Sequence, residues 1–345
     1  MTELRFAAFG AGFWARYQLS AWSELPGVGC VALCDRDRAK AEALARDLGI
    51  PAVYDQPESL LASEKLDFLD VITGIESHGP LVHLAAEHGI PVICQKPMAS
   101  SWAEAAGMVA ACRRAGIPFL VHENWRWQTP LRRVKEVLEE GRIGTPFRAR
   151  INMTSGFPVF VNQPSLKELE RFVLADMGSH LLDVARFLFG EPRSLYARTN
   201  RVHADIRGDD VATVVLTMGE APTTVVCEMA FAENPLEHDC FPQTLAFVEA
   251  DRGSLELAPD FWVRVTTADG THARRHPPPS YRWANPDYAV VHSSMVPCLA
   301  DLLGALRSGD ATKAETHAED NLKSLRLILA AYDSAREDRA VPIES

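Results

Sequence analysis

The sequence predicts an α/β fold in two parts. An N-terminal domain carries a parallel sheet, and a C-terminal α/β domain carries a large, mainly antiparallel open sheet. Three observations predict it. Over the first 122 residues, short apolar runs alternate with helical patterns. After residue 123, β-rich segments separated by turn residues dominate. The 345 residues also exceed what one core ordinarily organises, which divides the chain into about two domains, 1–122 and 123–345.

In the first part, strands are expected at 4–9, 28–34, 67–73, 91–95 and 118–122, with helices at 13–25, 37–48, 77–88 and 101–115. Strand, helix, strand at this spacing implies right-handed crossovers and parallel pairing. The strand runs are almost continuously apolar, as strands buried on both faces are. In the second part, helices fit 129–141, ended by Gly141, and 175–189, ended by Gly190. Strands follow at 193–202, 211–218, 223–231, 243–250, 253–257 and 261–267. Turns such as Gly208-Asp209-Asp210 and Ala268-Asp269-Gly270 connect them, so pairing should be mainly antiparallel. Pro277-Pro278-Pro279 marks an irregular loop, and helices near 290–307 and 315–337 close the chain.

Composition narrows the function classes. A net charge of −11 offers no basic footprint for nucleic acid or an anionic membrane. Residues 1–9 lack the apolar stretch and cleavage site of a signal peptide, and no run approaches about 18 consecutive apolar residues. The seven cysteines are scattered without C-x-x-C spacing, as expected of reduced thiols in a cytoplasmic protein.

"FGAGFWA" sets Gly10, Gly12 and Ala15 in G-x-G-x-x-A spacing between a strand and a helix. The first glycine permits the tight turn, the second lets a pyrophosphate approach the backbone, and Ala15 lets helix and strand pack closely. Asp35, at the end of the next strand, is placed to accept the ribose hydroxyls and repel a 2′-phosphate. The expected cofactor is therefore NAD rather than NADP. Arg36 is the countervailing residue, since it could stack on adenine or meet a 2′-phosphate. Together these features describe a Rossmann domain.

"PVICQKPMAS" delivers Lys96 at a strand's carboxyl end, where open α/β sheets bind their ligands, and Pro97 turns the chain away. In "ADMGSHLLDVARFLFG", Asp176, His180 and Asp183 fall on one face of a helix. Asp176 would orient a sugar or the imidazole, and His180 would move a proton. "HENWRWQ" adds Asn124, Trp125 and Arg126 after a strand. Trp125 could stack on a sugar or nicotinamide face, and Arg126 could bind a hydroxyl or a cofactor group. Asn162 and Tyr281 lie in second-domain segments that could reach a substrate. His78, His83 and His88, in steps of five, fall on different helix faces and do not form a metal site.

These motifs, with "SHGPLVHLAAEHGIPVICQKPMA" and "RRVKEVLEEGRIGTPFRAR", resemble the Gfo/Idh/MocA oxidoreductases along essentially the whole chain. The family comprises NAD(P)-dependent dehydrogenases of sugars, inositols and related polyols. The resemblance implies that Lys96 and His180 are catalytic. It also implies that Phe13, Trp14, Thr73, His78, Gln95, Asn124 and Trp125 surround the cofactor with Gly10, Gly12, Asp35 and Arg36. One departure is Gln95, where the family usually has Glu before Lys-Pro; hydrogen bonding is kept and a charge is lost. "GFWARYQLSAW", "CQKPMA" and "HENWRWQ" also look similar to the D-apiose dehydrogenase branch, which oxidises an aldose at its anomeric carbon to a lactone. Oxidation of an inositol, polyol or glycoside ring hydroxyl, and a non-catalytic NAD-bound sensor, stay open as alternatives. A homodimer or larger homo-oligomer is expected, because "TVVLTM" and "TTVVCEMAF" carry more apolar residues than one covered sheet face requires.

Overall fold

A computed structural model of the chain describes residues 3–219, 223–232 and 239–343, apart from the Asn162 side chain. The apolar N-terminal runs and the patterns between them become β1 (Leu4–Phe9), α1 (Phe13–Trp22), β2 (Val28–Cys34), α2 (Arg38–Leu48), β3 (Ala52–Tyr54) and α3 (Pro57–Ser63). They continue as β4 (Phe68–Val71), α4 (Ile75–Glu87), β5 (Val92–Gln95), α5 (Trp102–Ala115) and β6 (Phe119–His122). The strands pair in parallel in the order β3-β2-β1-β4-β5-β6. Strand order reverses between β1 and β4, so their carboxyl ends part and leave the crevice in which such sheets hold ligands.

The first core is anchored by aromatic packing. Phe6 on β1 stacks on Phe68 of β4, with centroids 4.8 Å apart, and Trp22 of α1 closes over both rings. All three side chains are buried, and each such burial stabilises by roughly 1.5–3 kcal/mol.

The rest of the chain forms α6 (Thr129–Glu139), β7 (Pro146–Ser155), α7 (Val159–Asn162), α8 (Val173–Phe189), β8 (Pro192–Asn200), β9 (Val211–Met218) and β10 (Thr224–Phe231). Then come β11 (Leu245–Ala250), β12 (Gly253–Ala258), β13 (Trp262–Thr267), β14 (Gly270–Arg275), α9 (Ala289–Ser308), α10 (Ala318–Glu337) and β15 (Val341–Pro342). Nine strands form one sheet in the order β14-β13-β12-β11-β7-β10-β9-β8-β15. Among the described residues of this sheet, only β7 and β10 pair in parallel; the other neighbours are antiparallel. β9 and β10 alternate strictly, burying Ala212, Val214, Leu216 and Met218 beside Val225, Cys227, Met229 and Phe231. α8 lies on this face. A Cβ on Gly178 would come within 3.3 Å of the Met229 sulfur, so the glycine lets the helix sit close to β10.

The chain divides into two compact units. The first runs to Glu123 and also takes in Tyr281–Ala284 and Met295–Lys323; the second holds the remaining described residues. The C-terminal part of the sequence therefore contributes segments to both. The segment Pro286–Ser308 is long and apolar enough to cross a membrane by composition alone, but most of it is buried inside the protein, as a core helix is.

Several elements differ from expectation. The strand β7, in the middle of the second sheet, falls in a stretch that the apolar patterns leave unassigned. Its inward residues are Ala149, Ile151 and Met153, while Arg148 and Arg150 on the other face pair with Glu249 and Glu228. The arginines mask the strand signal until their partners on neighbouring strands are known. Edge strand β14 is exposed throughout and carries no apolar pattern. The three-residue β3 and the seven-residue α3 also escape.

Candidate active site

In the first unit the strand β1 delivers Gly10 into a turn at φ +101°, where a Cβ would lie 2.2 Å from the Ile72 carbonyl oxygen. Only glycine fits there. Nothing lies within 4 Å of where a Gly12 Cβ would stand, so the backbone there is open to a close approach. Gly12 caps α1, whose first turn has neither a side-chain cap nor an acidic residue. The positive end of this helix therefore favours an anion. Asp35, after β2, fixes this loop: its carboxylate accepts the Ala11 N–H at 2.7 Å and the Asp37 N–H at 2.8 Å. Arg36 beside it is exposed. Phe13, Trp14 and Tyr17 form an edge-to-face cluster on the first turns of α1. These features fit the pyrophosphate and ribose of a dinucleotide.

Lys96 follows β5 directly, and the Lys96–Pro97 peptide is cis. His78, on α4, is buried and bridges two strand ends. Its Nδ1 lies 3.1 Å from the Pro97 carbonyl oxygen and its Nε2 3.1 Å from that of Thr73. Burial lowers the His78 pKa below the ordinary histidine value, so a neutral ring donates to one carbonyl at a time. His78 thus ties the turn carrying Lys96 to the end of β4. Behind Lys96, the Gln95 side-chain carbonyl oxygen accepts the Lys96 backbone N–H at 3.1 Å. The Gln95 amide nitrogen meets Gln18 and His122. Gln18 in turn donates to both oxygens of Asp70 at 2.9 Å, and the Trp22 indole donates to the same carboxylate at 2.7 Å.

Tyr281 departs from its expected place among second-domain loops. It groups with the first unit, stacked on Trp283, whose indole donates to Glu24 at 2.9 Å. That anchor, just beyond the end of α1, overrides the segment's position in sequence.

In the second unit, His180 stands in the middle of α8, four residues after Asp176 and three before Asp183. The imidazole is buried and stacks on the Trp125 indole, with centroids 4.0 Å apart and planes 19° from parallel. The indole N–H donates to the Thr244 hydroxyl at 2.7 Å, which fixes the plane against which the imidazole rests. Asn124 donates to the Val291 carbonyl at 3.1 Å and the Ser294 hydroxyl at 2.8 Å. Arg126 forks onto Asp183 at 2.8 and 2.5 Å. Asp183 is fully buried, also accepts from Ser324 at 2.9 Å and lies 3.5 Å from Arg186. Arg126, expected to meet a hydroxyl or cofactor group, thus has its planar fork turned to a carboxylate within its own unit. Asp176, half-buried, lies in the first turn of α8. The Asn162 side chain lies outside the described residues.

The comparisons with known proteins cover both units. Residues 4–123 match the model of an oxidoreductase family with an NAD-binding Rossmann fold, and residues 131–256 match the GFO/IDH/MocA C-terminal domain. A D-apiose dehydrogenase from Paraburkholderia graminis is 42% identical over 98% of this chain and 89% of its own length. The chain belongs to the Gfo/Idh/MocA oxidoreductase family. Another member, a D-apiose dehydrogenase from Rhizobium rhizogenes, is 40% identical over 99% of this chain and 98% of its own. An oxidoreductase from Agrobacterium radiobacter, crystallised with NAD+, L-tartaric acid and magnesium, is 40% identical and superposes with a TM-score of 0.95 over 99% of this chain and 98% of its own. As in the rest of the family, the first unit is an NAD(P)-binding Rossmann domain and the protein is an oxidoreductase.

Sequence patterns missed the support beneath these residues. Asp70, Gln18 and Trp22 carry the network behind Lys96, and Thr244 sets the indole under His180. A signal was present for Asp70: a carboxylate inside the apolar run "FLDVI", with Gln18 and Trp22 spaced one helical turn apart. Thr244 carried none.

Proposed function

We propose that this protein is an NAD-dependent sugar dehydrogenase that oxidises an aldose, D-apiose or a close relative, at the anomeric carbon to the lactone. The observation that carries this reading is the similarity, at 42% and 40% identity over nearly the whole chain, to two D-apiose dehydrogenases. NADP-linked D-xylose 1-dehydrogenases are more distant, at 26% and 28%. NAD is favoured because the Asp35 carboxylate closes the end of β2, where a 2′-phosphate would meet its negative charge.

Bound NAD would rest on the Gly10–Gly12 turn, the α1 N-terminus and Asp35, and it supplies the acceptor for the C1 hydride. His180 takes the proton of the anomeric hydroxyl as general base. Lys96 serves as the hydrogen-bond donor that stabilises developing negative charge on the substrate. Trp125 and Thr244 hold the imidazole plane. Arg126 acts through Asp183 as a positioning residue for α8, and Asp176 binds the sugar. A homodimer is part of the same reading, formed through the outer face of the second sheet, where Val211, Val215 and Val226 are only half-buried. A solution mass near 38 kDa by light scattering, unchanged on concentration, would remove the dimer.

A panel of aldoses, polyols and glycosides, followed by NADH absorbance, tests the activity. Turnover should be fastest with D-apiose or another aldose. Preference for an inositol or a glycoside would reassign the oxidised carbon, and binding of NAD without turnover of any sugar would favour a sensor.

A further inference from the structure

A carboxylate inside the middle of a parallel sheet is costly unless its oxygens are satisfied. Asp70 is fully buried on β4, and its hydrogen-bond donors are neutral: Gln18 to both oxygens at 2.9 Å and Trp22 at 2.7 Å. An ionised carboxylate only accepts hydrogen bonds. The amide of Gln18 must therefore present its NH2 group to Asp70, which leaves its carbonyl facing Gln95. Residue 95 must then offer a donor. The Gln95 NH2 group supplies one hydrogen to Gln18 and the other to Nδ1 of His122 at 3.1 Å. The Gln95 carbonyl is left pointing at the Lys96 backbone N–H. Amide oxygen and nitrogen look alike in a structure, but here the acceptor-only end of the chain fixes every link by chemistry.

We infer that Asp70 is a positioning residue for Lys96, acting through Gln18 and Gln95, and that its carboxylate is the reason residue 95 is an amide rather than an acid. The positioning part rests on the catalytic role proposed for Lys96; the direction of the chain does not.

The test is a set of substitutions whose effects should not add. Gln95→Glu places an acceptor against the Gln18 carbonyl. Asp70→Asn turns Gln18 around and sets donor against donor at residue 95 or at the Lys96 N–H. Gln95→Glu should lower the folding constant about 10- to 100-fold, the scale of one buried unsatisfied group; in Asp70→Asn the same mismatch is offset by removal of the buried charge, so its penalty is read from the coupling in the cycle. Each change should also lower kcat, and Asp70→Asn should do so with NAD affinity nearly unchanged. In the double variant the chain runs in reverse. The amide introduced at position 70 keeps its oxygen for Trp22 and gives its NH2 to Gln18, and Gln18 gives its own NH2 to the carboxylate introduced at position 95. Most of both losses should return. The His122 ring reports independently of any rescue. Nitrogen NMR should find the Nε2–H tautomer in the natural protein and the Nδ1–H tautomer in the double variant.

Additive losses, a harmless Gln95→Glu, or an Nδ1–H tautomer in the natural protein would overturn the inference. Coupled unfolding midpoints with kcat unmoved would overturn its positioning part. Normal turnover in Lys96→Met would instead count against the catalytic role of Lys96, with the stability cycle and the tautomer still deciding the hydrogen-bond chain. If the single variants do not fold, the natural protein's His122 tautomer decides alone.

Discussion

The two units hold their candidate catalytic side chains by different physics. Lys96 rests on a chain of neutral amides that ends in one buried carboxylate without a cationic partner among its hydrogen-bond donors. The helix carrying His180 is held by charge: Asp183, fully buried, serves Arg126 and Arg186 together, and an indole flanks the imidazole. An amide chain transmits direction, because each link fixes the orientation of the next. An ion pair transmits position but is indifferent to amide orientation, and it is expensive to break. The first arrangement should therefore respond to isosteric changes that swap donor for acceptor, and the second to loss of charge.

The largest expected effect is on turnover. His180→Ala and Lys96→Met should each reduce kcat by roughly 10²- to 10⁴-fold while NAD binding stays close to normal. Near-normal turnover in either variant, measured with the identified sugar, would take that residue out of the reaction.

Stability separates the two arrangements next. Asp183→Ala removes the carboxylate onto which the buried Arg126 guanidinium forks, while Arg186 keeps its pair with Glu191 at 2.8 Å, and should cost roughly 3–5 kcal/mol in denaturant unfolding. Asp183→Asn keeps the shape and should still cost most of this. A loss below about 1 kcal/mol would show that the pair contributes little and that α8 is held by its apolar face.

A smaller contrast lies in acid. Burial pushes the Asp70 carboxyl up to about 6, eased by its hydrogen bonds from Trp22 and Gln18. The other ionisable groups facing it are the thiols of Cys30 on β2 and Cys94 on β5, both pushed upward by burial. In the second unit, burial pushes His292 down to about 4, with its Nδ1 accepting the Asn285 N–H at 3.1 Å. The signs are opposite. Between the ordinary carboxylate range and pH 6 the native state holds the Asp70 proton more tightly than the unfolded chain, so stability falls as pH rises through that window. Between pH 4 and the ordinary histidine range the unfolded chain binds the His292 proton more tightly, so stability is lost as pH falls. Each contribution is worth at most about 3 kcal/mol. Asp70→Asn should therefore make the stability profile steeper in favour of higher pH, and His292→Gln should flatten it. Urea unfolding across about pH 4 to 7 reads the slopes, and unchanged slopes in both variants would refute the assignment.

How much of this was legible follows from the same contrast. The strands β1 and β2 match their expected bounds because both faces are covered and the apolar signal is continuous. The strand β7 was hidden because its outer arginines need glutamates from two other strands to make sense. Lys96 and His180, the candidate catalytic residues, stand in short local motifs that the sequence displays directly. The ion pair of Arg126 could not be picked out, because its carboxylate is 57 residues away. Asp70 was readable as an anomaly within an apolar run, but its meaning depends on Gln18, 52 residues earlier, which only the fold brings beside it.

The smallest effect concerns the cofactor. Asp35→Ala should narrow the preference for NAD over NADP, since it removes the charge that opposes a 2′-phosphate; it also removes the acceptor that holds the Ala11 N–H, so the ratio of the two affinities, rather than either affinity alone, is the readout. Titration of both dinucleotides by fluorescence measures it. Comparable or tighter binding of NADP by the unchanged protein would reject the NAD assignment.

The most direct test of the central claim follows a label. D-apiose carrying deuterium at C1 should be oxidised with a primary isotope effect, the deuterium should appear on the nicotinamide ring of NADH, and the sugar product should be the lactone. Deuterium retained in the sugar product, or no turnover of D-apiose and other aldoses by protein that binds NAD, would contradict anomeric oxidation.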